Sequence, residues 1–173
     1  MSRTYHLERQ QVVARPLAEV FAFFADAGNL ERLTPPSLQF QILSPQPIEM
    51  RPGAVIDYRL RLVGVPFRWR SVIEVYEPQS RFVHVQAKGP YKLWRHTHEF
   101  KHLPEGTLVC DRVEYQLPLG ILGRPAQRLL VRRSLARIFD YRAVQLEKVF
   151  SSAGAAGPPA SRAIERARAG PGG

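Results

Sequence analysis

The sequence predicts an α+β domain in which a curved antiparallel sheet grips one long C-terminal helix. Three observations carry this. The stretch RPAQRLLVRRSLARIFDYRAVQLEKVF, Arg124 to Phe150, holds no glycine, and its one proline, Pro125, stands at the start, where a helix tolerates a missing N–H. At about 1.5 Å per residue it would run roughly 40 Å, the width of a small domain. Leu129, Leu135, Ile138, Phe139, Leu146, Val149 and Phe150 recur in it at helical spacings and give it a broad apolar side. Before it, segments that alternate apolar and polar residues are joined by tight turns, as in an antiparallel meander. The order is strand, two short helices, about six strands, then the long helix.

Thr4 to Ala14 alternates as an opening strand, with Tyr5, Leu7 and Val13 inward. After Pro16, Leu17, Val20, Phe21 and Phe24 sit at helical spacing. NLERLTPP reads as a second short helical turn, stopped by Pro35 and Pro36. Leu38 to Leu43 reads as a strand, ended by the proline-rich run SPQPIEMRPG. Ala54 to Val63 alternates, with Ile56, Tyr58, Leu60 and Leu62 on one face. Gly64 marks a tight turn, and the next strand groups Phe67, Trp69, Ser71, Ile73 and Val75. Arg81 to Lys88 is mixed on both faces. Trp94, His96, His98 and Phe100 share a face of the following strand, and Val109, Asp111, Val113 and Tyr115 share one parity in the last. Residues 151–173 are rich in Gly, Ala and Pro and lack aromatics, so a disordered basic tail is expected after a ligand-binding domain spanning residues 1–150.

Composition narrows the function. No run approaches the roughly 18 apolar residues of a membrane span, and MSRTYHLERQQ has no secretory h-region. The single cysteine, Cys110, excludes an internal disulfide framework and fits a reducing cytoplasm. The net charge of +10 is the main argument for a polyanionic partner. Its distribution weakens that argument. The tail contributes a net +2, and the long helix contributes seven basic residues against Asp140 and Glu147. Most of the excess is thus one arginine-rich helix face and a tail, so no nucleic-acid partner is expected, while transient contact with an acidic membrane surface or protein stays open.

The residues Phe82, Gln86 and Gly89-Pro90, WRHTHEF from Trp94 and DRVEYQLPLG from Asp111 resemble the SRPBCC superfamily, the START, polyketide-cyclase and Bet v 1-like group. The opening PLAEVFAFFADAGNLERLTPP resembles that group's helix pair, and the likeness covers about residues 1–150. It is greatest to bacterial ligand-binding SRPBCC domain proteins. The resemblance implies a helix-grip fold, with a seven-stranded sheet wrapped round the C-terminal helix and a long cavity between them. It is specific for fold and weak for activity, because members bind lipids, sterols, polyketides, quinones and hormones and only some are enzymes.

If the face bearing Trp94, His96, His98 and Phe100 is the cavity side, Trp69, Asp111, Val113 and Tyr115 join it from other strands. Tyr58, Phe82, His84, Gln86, Ile138 and Tyr141 complete the expected lining. An aromatic space with a few polar groups suits a hydrophobic small molecule: a lipid, an isoprenoid or a polyketide-like aromatic. Two alternatives stand beside a carrier or sensor. His96, Asp111 and Tyr115 could serve a cofactor-free cyclase or dehydratase, with Asp111 orienting His96 as base and Tyr115 polarising a carbonyl. The basic helix and tail could instead make the chain an interaction module. His96 and His98, two apart on a strand, would need a third ligand from His84 or Asp111 to hold zinc. A cupin-like site would require a further downstream histidine, and none follows His102. No metal and no cofactor are therefore expected, and no nucleophile elbow, phosphate loop or dinucleotide fingerprint is present. On the helix, Arg137 and Tyr141 share a face, and one of them is the expected anchor for a polar ligand group. The other helix arginines are read as solvated. Access is expected near Pro35–Pro36 and Gly120–Gly123, and the chain as a monomer or homodimer.

Overall fold

The computed structural model describes residues 3–62, 64–118 and 124–152. Gly120–Gly123 and most of the expected tail lie outside them. The elements are β1 (Thr4–Val13), α1 (Leu17–Ala25), 3-10 turns at Ala27–Leu30 and Pro36–Leu38, β2 (Gln41–Ile42), β3 (Val55–Leu62), β4 (Val65–Glu77), β5 (Arg81–Lys88), β6 (Leu93–Leu103), β7 (Gly106–Gln116) and α2 (Arg124–Ser152). One seven-stranded curved antiparallel sheet runs in the order β1-β7-β6-β5-β4-β3-β2, with α2 against it. This is the predicted α+β helix grip. No described helix is long and apolar enough to cross a membrane.

Local chemistry explains where elements depart from the sequence reading. The strand expected over Leu38 to Leu43 shrinks to Gln41–Ile42. Pro35 and Pro36 start a 3-10 turn, and Gln39 ends it at φ 44°, a left-handed conformation that interrupts an extended chain. In β4 the register shifts between Ile73 and Val75. That irregularity reverses the side-chain parity, so Tyr76, not Val75, turns inward and meets Phe21 at 5.8 Å. In α2, Leu135, Phe139, Leu146 and Phe150 are buried, whereas Leu129 is 48% exposed. At about 100° per residue, those four fall within roughly 60° of one another and Leu129 falls well outside that stripe.

The core has two parts. Ile56, Tyr58, Leu60, Trp69, Trp94, Val113 and Tyr115 pack with Leu135 and Phe139 of α2 at one end. At the other end Val20, Phe21 and Phe24 of α1 pack with Phe82, Phe100, Val109, Leu146 and Phe150. β1 joins α2 through Gln11 Nε2, which donates to the Ala143 carbonyl at 3.1 Å. Arg15 donates twice to the Phe150 carbonyl, at 3.2 and 3.0 Å, and so supplies partners that the last turn of a helix lacks.

Gly106 opens β7 at φ 143°, where a Cβ would run into the Val13 carbonyl. Gly106→Ala should therefore lower stability by about 3 kcal/mol. Urea unfolding checks this, and a variant with the wild-type midpoint would refute it.

Candidate functional site

The two apolar clusters meet at a polar seam set by strand register. Along the inner face of β6 the side chains run Trp94, His96, His98, Phe100, so the strand leaves one cluster and joins the other through its two histidines. β5 places His84 opposite His96 and Phe82 opposite His98. β7 places Asp111 opposite His98 and diagonal to His96, both within reach across an antiparallel pair. From α2, Arg142 comes down on the same spot.

The contacts are close. His96 Nε2 donates to Asp111 Oδ1 at 2.7 Å. His98 Nδ1 lies 2.8 Å from the same oxygen but outside hydrogen-bonding angle, so that approach is electrostatic. His98 Nε2 faces His84 Nε2 at 3.3 Å. Arg142 Nη1 reaches Asp111 Oδ1 at 3.3 Å, and its guanidinium carbon sits 5.1 Å from the centre of the Phe139 ring. His96, His98 and Asp111 are 3, 3 and 5% exposed. Charged imidazolium is costly there. Burial, reinforced by neighbouring His98, lowers His96 to about 3, against the favourable contact with Asp111. Burial likewise lowers His84 and His98. Burial alone would raise Asp111, but the adjoining histidines and Arg142 hold it well below the usual carboxylate range. The seam at neutral pH is thus a carboxylate–guanidinium pair with three neutral imidazoles.

Beside this seam lies a cavity of about 140 Å³. Of the sequence-predicted lining, Tyr58, Trp69, Phe82, His84, Trp94, His96, His98 and Ile138 face it. The others are elsewhere. Asp111 stands behind the histidines, on the wall of a second cavity of about 130 Å³ between β1 and α2. Val113 and Tyr115 are packed into one core cluster and Phe100 into the other. Gln86 clamps the β5–β6 hairpin, donating to the Tyr91 carbonyl at 2.7 Å and accepting from the Tyr91 amide at 3.3 Å. Tyr141 lines an outer groove, next to Pro35 and Pro36, that shares Thr34 and Phe40 with the cavity. Arg137 is exposed.

Arg142 and Tyr91 are among the cavity-wall residues that the sequence reading did not place there. That reading sets Arg142 among the solvated arginines, yet seven positions beyond Leu135 it falls within roughly 20° of the buried stripe, a signal the helix period contains. Tyr91 follows Gly89-Pro90 in a hairpin and belongs to no strand parity. Burial pushes the phenols of Tyr58 and Tyr91 above their ordinary pKa, so both remain neutral hydroxyls. Trp69 Nε1 and Arg142 Nε are buried without a hydrogen-bond partner among the described residues.

Solved structures share this fold. The Zhui aromatase/cyclase of Streptomyces sp. R1128 superposes with a TM-score of 0.71 at 18% identity, covering 90% of this chain and 99% of that one. A protein of Thermus thermophilus gives 0.62 at 20% identity over 88% and 100% of the two chains. The major latex-like protein 151 of Panax ginseng gives 0.62 at 13% identity over 85% and 97%. At such identities the likeness concerns the fold. No curated protein matches the chain in sequence. The model of the family described as polyketide cyclase / dehydrase and lipid transport matches residues 4–151. With nearly all of the sheet and α2 inside that match, the chain belongs to this family, within the SRPBCC superfamily.

Proposed function

We propose that the protein binds a hydrophobic small molecule bearing a hydrogen-bond acceptor, between the sheet and α2, as a carrier or sensor. The observation that carries this is the two donors without a partner among the described residues, Trp69 Nε1 and Arg142 Nε, on residues that line a mostly apolar cavity. A buried donor left unpaired costs about 1–3 kcal/mol, and an oxygen on the bound molecule removes that cost. A cavity of about 140 Å³ is near the size that admits one aromatic ring. A larger isoprenoid or polyketide-like ligand would need α2 and the turn at Pro36–Leu38 to part. The groove at Pro35–Pro36 is the proposed mouth.

Benzoate and toluene, titrated into the full chain and followed by calorimetry or tryptophan fluorescence, separate the possibilities. Benzoate should bind more tightly, and Trp69→Phe should weaken benzoate about fivefold, the loss of one hydrogen bond of about 1 kcal/mol. Equal binding of the two, or of neither, would count against the reading. Native mass spectrometry of protein taken from its own host should also reveal a hydrophobic passenger.

One observation favours a second reading, a cyclase or dehydratase. His96 is held by Asp111 at 2.7 Å at the cavity wall, as a base positioned by a carboxylate would be. Its Nδ1 would then take the proton. Tyr115, packed in the core away from the cavity lining, has no part in this version. His96→Gln with unchanged ligand affinity and abolished turnover would favour it over carriage.

A further inference from the structure

We propose that His84, His96 and His98 form a binding site for a divalent transition metal ion of the zinc class, open to the cavity. The site does not depend on what else the cavity holds, and it departs from the sequence reading, which expected no metal.

The donor atoms are already gathered. One ring nitrogen from each histidine lies within 4.8 Å of the others. His84 Nε2 and His98 Nε2 face each other at 3.3 Å. Two nitrogens bound to one tetrahedral zinc at about 2.0–2.1 Å stand roughly 3.3–3.4 Å apart, so this pair already spans one edge of such a site. As a hydrogen bond the same contact is long. An ion between them would use both lone pairs.

The surroundings orient the rings in the way metal-ligating histidines are usually held, by a carboxylate on the opposite ring nitrogen. Asp111 Oδ1 engages His96 through Nε2 at 2.7 Å, which leaves Nδ1 as that ring's donor atom. The same oxygen lies 2.8 Å from His98 Nδ1, so the other nitrogen of that ring is the one turned to His84. One carboxylate therefore fixes the His96 ring by a hydrogen bond and faces the His98 ring electrostatically. Neutral imidazoles are the form that coordinates, and three of them suit zinc, copper, nickel or cobalt. All three line the cavity, so the remaining coordination position opens onto it. The charged groups at the seam are Asp111 and Arg142, 3.3 Å apart. Arg142 opposes a cation and Asp111 offsets it, so the ion's own charge is left to draw water or an anionic oxygen of the cavity's occupant.

The test uses the full chain, stripped of metal by dialysis against a chelator. It is then titrated with zinc chloride by calorimetry and with cobalt chloride by visible absorption. One equivalent per chain should bind, with cobalt d–d bands of a low-coordinate nitrogen site. His84→Ala should lower affinity at least about 100-fold, and Asp111→Asn should lower it about 10–100-fold. The remaining histidines, His6 and His102, are exposed, and their joint replacement by alanine should leave binding unchanged. His84 is only half-buried, so its variant is the one expected to keep the fold, checked by circular dichroism. Absence of stoichiometric binding, wild-type affinity in His84→Ala, or loss of binding in the His6/His102 variant would overturn the proposal. So would a thiolate-to-cobalt band, which would move the ion to Cys110.

Discussion

Asp111→Ala is expected to cost about 3–5 kcal/mol of unfolding free energy, because it leaves the buried Arg142 guanidinium without its counter-charge. The Asp111 and Arg142 side chains are 8 and 11% exposed, so solvent screens the lost interaction little. The same carboxylate also accepts from His96, which adds an unsatisfied donor. Removing both charges tells the pair apart from its surroundings. In Asp111→Ala/Arg142→Met no charge is stranded, and much of the loss should return. Urea unfolding of the two single variants and the double variant gives the cycle. A double variant as unstable as Asp111→Ala, or a single variant near wild type, would show that the pair does not hold the seam together.

The second large effect is at Phe139, which is buried among α2's inward residues, faces His96 at 5.5 Å and lies under Arg142. Phe139→Ala should destabilise by about 3–5 kcal/mol, as large-to-small changes of buried aromatics do. It should also enlarge the cavity beside the histidines. Naphthoate, too large for one ring's space, should therefore bind the variant better than the parent while benzoate gains little. Both effects can be read from one preparation. A destabilised variant with unchanged preference would mean that Phe139 seals the core without bounding the binding space.

How much of this was legible in the sequence depends on the kind of signal. Period-two alternation placed His96, His98 and Asp111 on inward faces because strands β6 and β7 run regularly through them. It could not say how far along the sheet each stood. Val113 and Tyr115 share Asp111's parity but lie deeper in the Trp69–Trp94 cluster. His84 sat in a segment with mixed faces, and its meeting with His98 depends on register between β5 and β6, which pairing alone decides. The reversal at Val75 and Tyr76 comes from an irregularity that alternation cannot foresee. Arg142 is different. Its angular position was available, but charge suggested solvent, and only a buried carboxylate on another element makes its burial tolerable. The motif residues Gln86 and Gly89-Pro90 marked the superfamily correctly, and the structure gives Gln86 the task of clamping a hairpin.

The pairing of β1 with β7 has a consequence for how the chain reaches its structure. Thr4 is registered with Gln116, so the first strand of the sheet has no sheet neighbour until the seventh has been synthesised. Arg15 must likewise wait for Phe150. Closing so long a stretch of chain costs entropy before the contacts repay it. Folding should accordingly be slow for a domain of this size, on the order of milliseconds to seconds. Until β7 is made, β1 is an unpaired strand whose apolar residues Leu7 and Val13 await cover, the kind of transient exposure that favours aggregation during folding.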